Sequence, residues 1–437
     1  MSEVRQSRGK APSGQRAEAR FDGGIEPLTS PDPRSSASAS GSASTSTPVS
    51  ANRPSAIINP HGQRVSWAEL FFDLVFVFAV TQVASAAQNA ASAVAVGRAL
   101  VLFVPFWWAW VGVSILYNGV ELTSTKRHLK VFALGLGAFI MSISVPDAYG
   151  QRGPVFAFAY LGIRALLAWA ILRRGFFHDR VNPYLVSAMI SAPLIVIGSF
   201  TPLPARAWIW LAAALIELTT PTLLRRRLDD LHFDASHLPE RFGLFVIIAL
   251  GEVLVGVGVQ ESRQGLSWSS LTALVLAFVL CCALWWTYFH FAAPALEHAL
   301  REARMQSVLV RSVFSHGHLA MVTGLILIAA GLAQAVRSPL HHPAGVHAYF
   351  LATGTALYVL SFCYTRARMF GGVGVARLIG GVLAAALASP SPFAPTVVTL
   401  AALVGLLIAL NAFEAWWVAM NRSVLIVRTG RGVIPDA

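Results

Sequence analysis

From Ser66 onward the chain alternates long apolar runs with short polar joints, and the runs are too long for strands. A helix crosses the roughly 30 Å hydrocarbon core of a bilayer in about 20 residues. On that criterion twelve blocks stand out, at about 66–88, 97–118, 128–146, 154–173, 183–200, 206–224, 241–260, 268–292, 312–334, 347–365, 373–389 and 395–419. The fifth and eleventh are short or broken by Pro and Gly. The pattern predicts an all-α fold, a polytopic membrane helical bundle of about twelve transmembrane helices.

Residues 1–58 follow no such pattern. The run from Ser35 to Ser50 is almost entirely Ser, Ala, Thr and Gly, too polar to bury a core. The expectation is a disordered cytoplasmic tail, without the continuous apolar stretch of a secretory signal.

Composition sharpens the class. Only 12% of residues are charged against about 25% in soluble domains, and mean hydropathy is +0.61. A soluble enzyme, a nucleic-acid module and a disulfide scaffold are excluded. The net charge of +12 sits largely in the joints. Joints after even-numbered blocks carry Lys126, Arg127 and Lys130; Arg173, Arg174 and Arg180; Arg225, Arg226 and Arg227; Arg301, Arg304 and Arg311; Arg366 and Arg368. Those after odd-numbered blocks carry little beyond Arg98, Arg152, Arg206, Arg263 and Arg337. Basic joints mark the cytoplasmic side. Both termini are therefore expected inside, with Arg64 at one end and Arg422, Arg428 and Arg431 at the other. The three cysteines, Cys281, Cys282 and Cys363, lie within apolar blocks and read as small buried residues.

The two halves echo one another. Glu69-Leu70-Phe71 and Glu240-Arg241-Phe242 open the first and seventh blocks. Trp107-Trp108 answers Trp285-Trp286, His128 answers His316, and Glu217 answers Glu414. The offset rises from 171 residues (Glu69 to Glu240) to 197 (Glu217 to Glu414). This predicts two parallel six-helix repeats, 59–235 and 236–422, followed by a cytoplasmic tail at 423–437. Parallel repeats are related by an axis along the membrane normal, and transport pathways commonly run at their seam.

Ionisable residues inside the blocks are the candidate chemistry, because a charge at mid-membrane costs about 2.5–3.5 kcal/mol on insertion scales. Glu69 and Asp73 are four apart and share one helix face; Asp73 lies about 10 Å into its span. Glu252 sits near the middle of the seventh block and is the repeat counterpart of Thr81. Asp73, Glu252, Glu69 and Thr81 are the candidates for a pathway or ion site; helix pinning is the competing reading. Arg164, Glu240, Arg241, Glu217, Glu414, His316 and His318 are gating or pairing candidates. Arg164 is expected to neutralise Asp73 or Glu69, and Arg377 to act likewise in the second half. His316 and His318 point to different sides of a helix and have no third ligand at metal spacing, so no metal is expected. The Trp pairs in the second and eighth blocks read as core packing, at the repeat seam or beside a pore.

The runs Glu69-Leu70-Phe71-Phe72-Asp73-Leu74-Val75-Phe76-Val77-Phe78-Ala79 and Glu240-Arg241-Phe242-Gly243-Leu244-Phe245-Val246-Ile247-Ile248-Ala249-Leu250-Gly251-Glu252 resemble the bacterial low temperature requirement A (LtrA) family. The Trp-rich second and eighth blocks and His316-x-His318 add to it. The resemblance covers about residues 60–420. It implies a bacterial multi-pass membrane protein linked by name to growth in the cold. More loosely, Glu69-x-Phe71-x-Asp73-x-Val75-Phe76 is similar to the first helix of the two-repeat endolysosomal potassium channels, which carries Arg-x-x-x-Phe-Ser-Asp. Phe72 stands in place of that Ser, Trp67 in place of that Arg, and Leu244 where the second Asp would fall. This second resemblance implies a shared six-plus-six plan.

The leading expectation is an ion (proton or monovalent cation) or small-solute channel or transporter. Its partners are the lipid bilayer and the permeating ion; no nucleic acid and no cofactor are expected, and the oligomeric state stays open. A membrane enzyme acting on lipid substrates is the rival, although the joints hold neither a nucleophile motif nor a phosphate loop. A sensor or assembly protein acting through its tail is the third reading.

Overall fold

The computed structural model describes residues 65–118, 124–173, 182–224, 233–262, 267–420, 426–428 and 432–434. The tail at 1–58 and the joint residues Arg64, Arg174, Arg180, Arg225, Arg226, Arg227, Arg263, Arg422 and Arg431 lie outside them.

Hydrocarbon offers no partner for backbone N–H and C=O groups, so apolar segments bond within themselves and form helices. Each of the twelve apolar blocks is helical. The first six are α1 (Trp67–Gln88), α2 (Ala93–Tyr117), α3 (Thr125–Ser144), α4 (Gly153–Arg173), α5 (Pro183–Ser199) and α6 (Ala205–Leu223). Then come α7 (His237–Ser262) and α8 (Trp268–Trp286), which runs through a π-helical turn, Thr287–Ala292, into α9 (Ala293–Glu302). A short α10 (Gln306–Leu309) leads through a second π segment, Val310–Gly317, into α11 (His318–Arg337). The chain closes with α12 (Phe350–Phe370), strand β1 (Gly372–Gly374), α13 (Val375–Ala386), α14 (Thr396–Ala419) and strand β2 (Ile426–Arg428). Among the described residues, nine helical stretches are long and apolar enough to cross a membrane; α5 and α13 are shorter apolar helices.

Local sequence fixes the helix ends. Ser66 and Glu69 form a reciprocal capping box at the start of α1, and Ser92 and Ser267 cap α2 and α8. Asn182 caps α5 ahead of Pro183, which suits the first helical position. Gly371, at φ +70°, ends α12 in the left-handed region that glycine enters without strain.

Two features depart from the sequence reading. The eighth and ninth blocks extend beyond their hydropathic edges, to Glu302 and back to Gln306, because π turns carry the helix on. The fold also contains a two-stranded antiparallel sheet in which Gly372 faces Arg428 and Gly374 faces Ile426. Residues 426–428 are therefore paired to the α12–α13 corner. Val433 and Ile434 donate their N–H groups to the carbonyls of Arg368 and Met369 beside it.

Neighbours in sequence pack together in two sets. α1 packs on α2 and α3, α3 on α4, α4 on α5, α5 on α6, and α2 on α6. Later, α7 packs on α8 and α11, α11 on α12, α12 on α13, α13 on α14, and α8 on α14. Contacts of α1 with α7 and α11, and of α2 with α7, join the two sets. The core is aromatic at this junction, where Trp107, Trp108 and Trp110 of α2 are fully buried. Lipid supplies no hydrophobic drive between helices, so close fit and polar links hold the bundle.

Candidate functional site

The α1–α7 contact brings together two pairs of polar side chains, each spaced four residues apart on its helix. Glu69 and Asp73 lie on α1, His237 and Arg241 on α7, and all four are buried. Arg241 bridges the acids: Nη1 donates to Glu69 Oε1 at 3.0 Å and Nη2 to Asp73 Oδ1 at 3.1 Å. Trp110 Nε1 donates to the same Asp73 oxygen at 2.7 Å. Glu69 Oε2 faces His237 Nε2 at 3.4 Å and accepts from Ser66 N at 2.9 Å. Asp73 Oδ2 and Arg241 Nε are buried with no hydrogen-bond partner among the described residues. The polar set is thus incompletely satisfied inside an apolar bundle, which is unusual for buried polar atoms.

His237 is positioned from the turn before α7. Asp234 Oδ1 accepts from Ser236 N, Ser236 Oγ and His237 N at 2.7–3.0 Å. Burial opposes charge on Asp234, but these donors outweigh it and hold its carboxyl below the usual carboxylate range. Asn118, at the end of α2, closes the frame. It accepts from Asp234 N at 2.7 Å and faces His237 Nδ1 at 3.4 Å.

Above the cluster the seam turns apolar. Phe76, Val77 and Val80 of α1 and Phe245, Val246 and Ala249 of α7 are all buried in one apolar core. Trp110 packs on Phe242 and Phe245 at ring distances of 4.7 and 4.5 Å. Beyond this layer polarity returns: Thr81 Oγ1 donates to Glu252 Oε1 at 2.8 Å. Both line a partly open crevice of about 180 Å³ between α1, α7 and α11, with Ser85, Gln88 and small residues of α11. Because Glu69 meets Arg241 and Thr81 meets Glu252, α1 and α7 run parallel. At 1.5 Å per residue, the eight residues from Asp73 to Thr81 span about 12 Å.

The family model for bacterial low temperature requirement A protein (LtrA) matches residues 64–412. The chain belongs to the LtrA family. It is also 28% identical over 289 residues to an uncharacterized protein, RA0937, of Rhizobium meliloti (strain 1021), an alignment covering 62% of this chain and 70% of that one. With its apolar helices, the chain is a multi-pass LtrA membrane protein. The match takes in the whole seam, from the α1 acids to Glu252 and the π segments.

The remaining sequence candidates fall outside the seam cluster of this LtrA chain. Arg164 does not neutralise Asp73 or Glu69. Its Nη2 meets Glu217 Oε2 at 3.4 Å and donates to Tyr184 O and Ser187 Oγ at 2.9 Å. Tyr160 and Ser191 also donate to Glu217, so this carboxylate joins α4, α5 and α6 from a fully buried position. In the second half Arg377 pairs with Glu414, at 2.8 and 3.0 Å. Glu240 is exposed on the first turn of α7 and does not join the cluster that Arg241 enters. His316 sits between two carbonyls, Arg311 O at 2.6 Å and Leu218 O at 2.9 Å. His318 donates from Nδ1 to Val313 O at 3.0 Å, which leaves Nε2 to accept from Tyr288 OH at 3.0 Å. No group of three or more His, Cys, Asp or Glu capable of holding a metal occurs among the described residues. Cys281 and Cys363 are buried, whereas Cys282 is exposed on the outer face of α8.

His237 and Trp110 are the partners of the two acids that hydropathy alone passes over. A signal for His237 exists: it precedes Arg241 by four residues, the spacing that links Glu69 and Asp73. Trp110 lies in a run of aromatics whose members look alike in sequence, and its indole is singled out only by pointing at Asp73.

Proposed function

We propose that this LtrA protein is an ion or small-solute permeation protein, with a proton or monovalent cation as its cargo and its path along the α1–α7 seam. The observation that carries this reading is the order of groups along one pair of parallel helices. A crevice bearing Glu252 and Thr81 is followed by an apolar layer and then by a buried carboxylate, Asp73, with one unpartnered oxygen. Intramembrane acids facing a cavity or one another are the usual means of binding cations or relaying protons. In this arrangement the apolar layer closes the path, and the Arg241 bridge holds the acids until it opens.

A plan of twelve spans in two parallel repeats, with both termini in the cytoplasm of a bacterial inner membrane, belongs to the same proposal. Its support is the packing sequence. The contacts of α1 with α2 and α3, α3 with α4, α4 with α5, α5 with α6 and α2 with α6 each have a match when α7, α8, α11, α12, α13 and α14 are taken in their place; the smaller α2–α4 contact does not. Under that pairing the Thr81–Glu252 bond joins equivalent positions 171 residues apart.

The test is flux of potassium, sodium and protons into proteoliposomes. Wild type is expected to pass at least one of them. Asp73→Asn and Glu252→Gln are expected to lower that flux at least tenfold, with folded protein still recovered from the membrane. Asn retains an oxygen for Trp110 and Arg241, so the first variant tests charge more than packing. Absence of flux for all three ions from well-folded wild type would sink the ion reading.

A further inference from the structure

A second cavity lies well away from the seam. It holds about 320 Å³ between the π turn after α8, the end of α12, α13 and α14. Its walls are largely apolar and include five aromatic side chains, Phe291, Phe362, Phe370, Phe413 and Trp417. Its polar lining includes two guanidinium groups, Arg366 and Arg377, against one carboxylate, Glu414.

The charges are unevenly matched. Arg377 is satisfied by both oxygens of Glu414 and by Thr287 O. Arg366 has a buried Nε without a hydrogen-bond partner, and its guanidinium lies 5.5 Å from the Phe370 ring. No carboxylate within ion-pair distance of it is found among the described residues. An unpaired guanidinium in apolar surroundings is costly and favours an anion. Its planar fork matches phosphate oxygens.

The cavity opens onto the outer surface. Ile379, Phe413 and Val418 line it and are also exposed large apolar residues. Trp417, which lines it, is a residue of the kind enriched at headgroup level. In a multi-pass membrane protein such a mouth faces lipid, so its occupant comes from the bilayer. Basic pockets between membrane helices are suited to acidic headgroups, and aromatic walls to an acyl chain.

We propose that this cavity binds one acidic phospholipid, with its phosphate on Arg366 and an acyl chain along the aromatic walls. Glu414, held by Arg377, leaves Arg366 as the cation that selects the headgroup.

The experiment uses the full chain, purified in mild detergent, stripped of lipid and titrated with phosphatidylglycerol or phosphatidylcholine under native mass spectrometry. Wild type is expected to retain one phosphatidylglycerol in preference to phosphatidylcholine. Arg366→Gln is expected to reduce that preference about fivefold, the worth of one basic residue at a lipid surface. Arg368→Gln, at an exposed position on the same helix, is expected to leave it unchanged. Phosphatidylglycerol should raise the melting temperature of the stripped protein, and inorganic phosphate at equal concentration should not. Equal retention of the two lipids by wild type would overturn the proposal. So would an intact preference in Arg366→Gln, or equal stabilisation by phosphate alone. Should Arg366→Gln not fold, Ala376→Trp blocks the cavity from its lining. Selective phosphatidylglycerol retention by that variant would likewise overturn it.

Discussion

Arg241→Ala is expected to cost about 3–5 kcal/mol of stability, the usual penalty for removing one partner of a buried ion pair. Arg241 is fully buried and is the cation shared by Glu69 and Asp73. Without it two carboxylates remain in a space that already leaves Asp73 Oδ2 unpartnered. Of the two acids His237 faces Glu69, at 3.4 Å, and not Asp73. The measurement is thermal unfolding in detergent, with the monodisperse fraction as a second readout. A charge-free triple variant, Glu69→Gln with Asp73→Asn and Arg241→Met, is expected to recover most of the loss, because replacing a whole buried ionic group is often close to neutral. Wild-type melting in Arg241→Ala would mean that the two acids do not need their cation, and the seam would have to be read as hydrated.

A comparable effect is expected where α11 crosses α12. A Cβ on Gly324 would stand 2.8 Å from Gly354 O and 2.9 Å from Tyr358 N. One on Gly354 would stand 2.8 Å from Gly324 O and 2.9 Å from Ile328 N. The obstacles are backbone atoms, which cannot rotate aside, so the helices must part. Gly354→Ala is therefore expected to destabilise by about 1–3 kcal/mol, the range for overpacking, despite alanine's better helix propensity. Gly162→Ala, in α4 with nothing within 4 Å of its Cβ, is the control and is expected to hold or raise stability. Equal behaviour of the two variants in a melt would show that the α11–α12 crossing does not depend on glycine.

The helices were legible because a hydrocarbon-length apolar run has few alternatives to a helix. The seam acids were legible too: Glu69 and Asp73 share a face and are expensive where they stand. The partners were not. Arg164 sits deep in its span and suits Asp73 in charge and depth, yet it meets Glu217, because partner choice depends on which helices are neighbours and hydropathy does not order them. His237 was passed over because it lies in the polar first turn of α7, ahead of the apolar block. Cys282 illustrates a related limit: lipid-facing and core-facing residues of a membrane helix are both apolar, so an all-round apolar pattern does not tell them apart. The β1–β2 pairing rests on three residues a side, too few for alternation to register, and Gly372 is needed there because a Cβ would run into Ile426 Cγ2.

The π segment at Val310–Gly317 makes the contact between the early and late helices a matter of register. Trp107 Nε1 donates to Ser315 O at 2.7 Å, His316 bonds Leu218 O, and Arg311 Nη1 reaches Pro221 O at 3.4 Å. Within the segment Ser315 Oγ, His316 Nδ1 and His318 Nδ1 each bond a carbonyl five residues back, at Val310, Arg311 and Val313. A π turn is an α turn with one residue too many. Passing that extra residue along would swing everything on one side by about 100° and shift it by about 1.5 Å, with the helix unbroken. The three ties to α2 and α6 would then let go together. Such a shift would disengage them as a set, like the teeth of one ratchet.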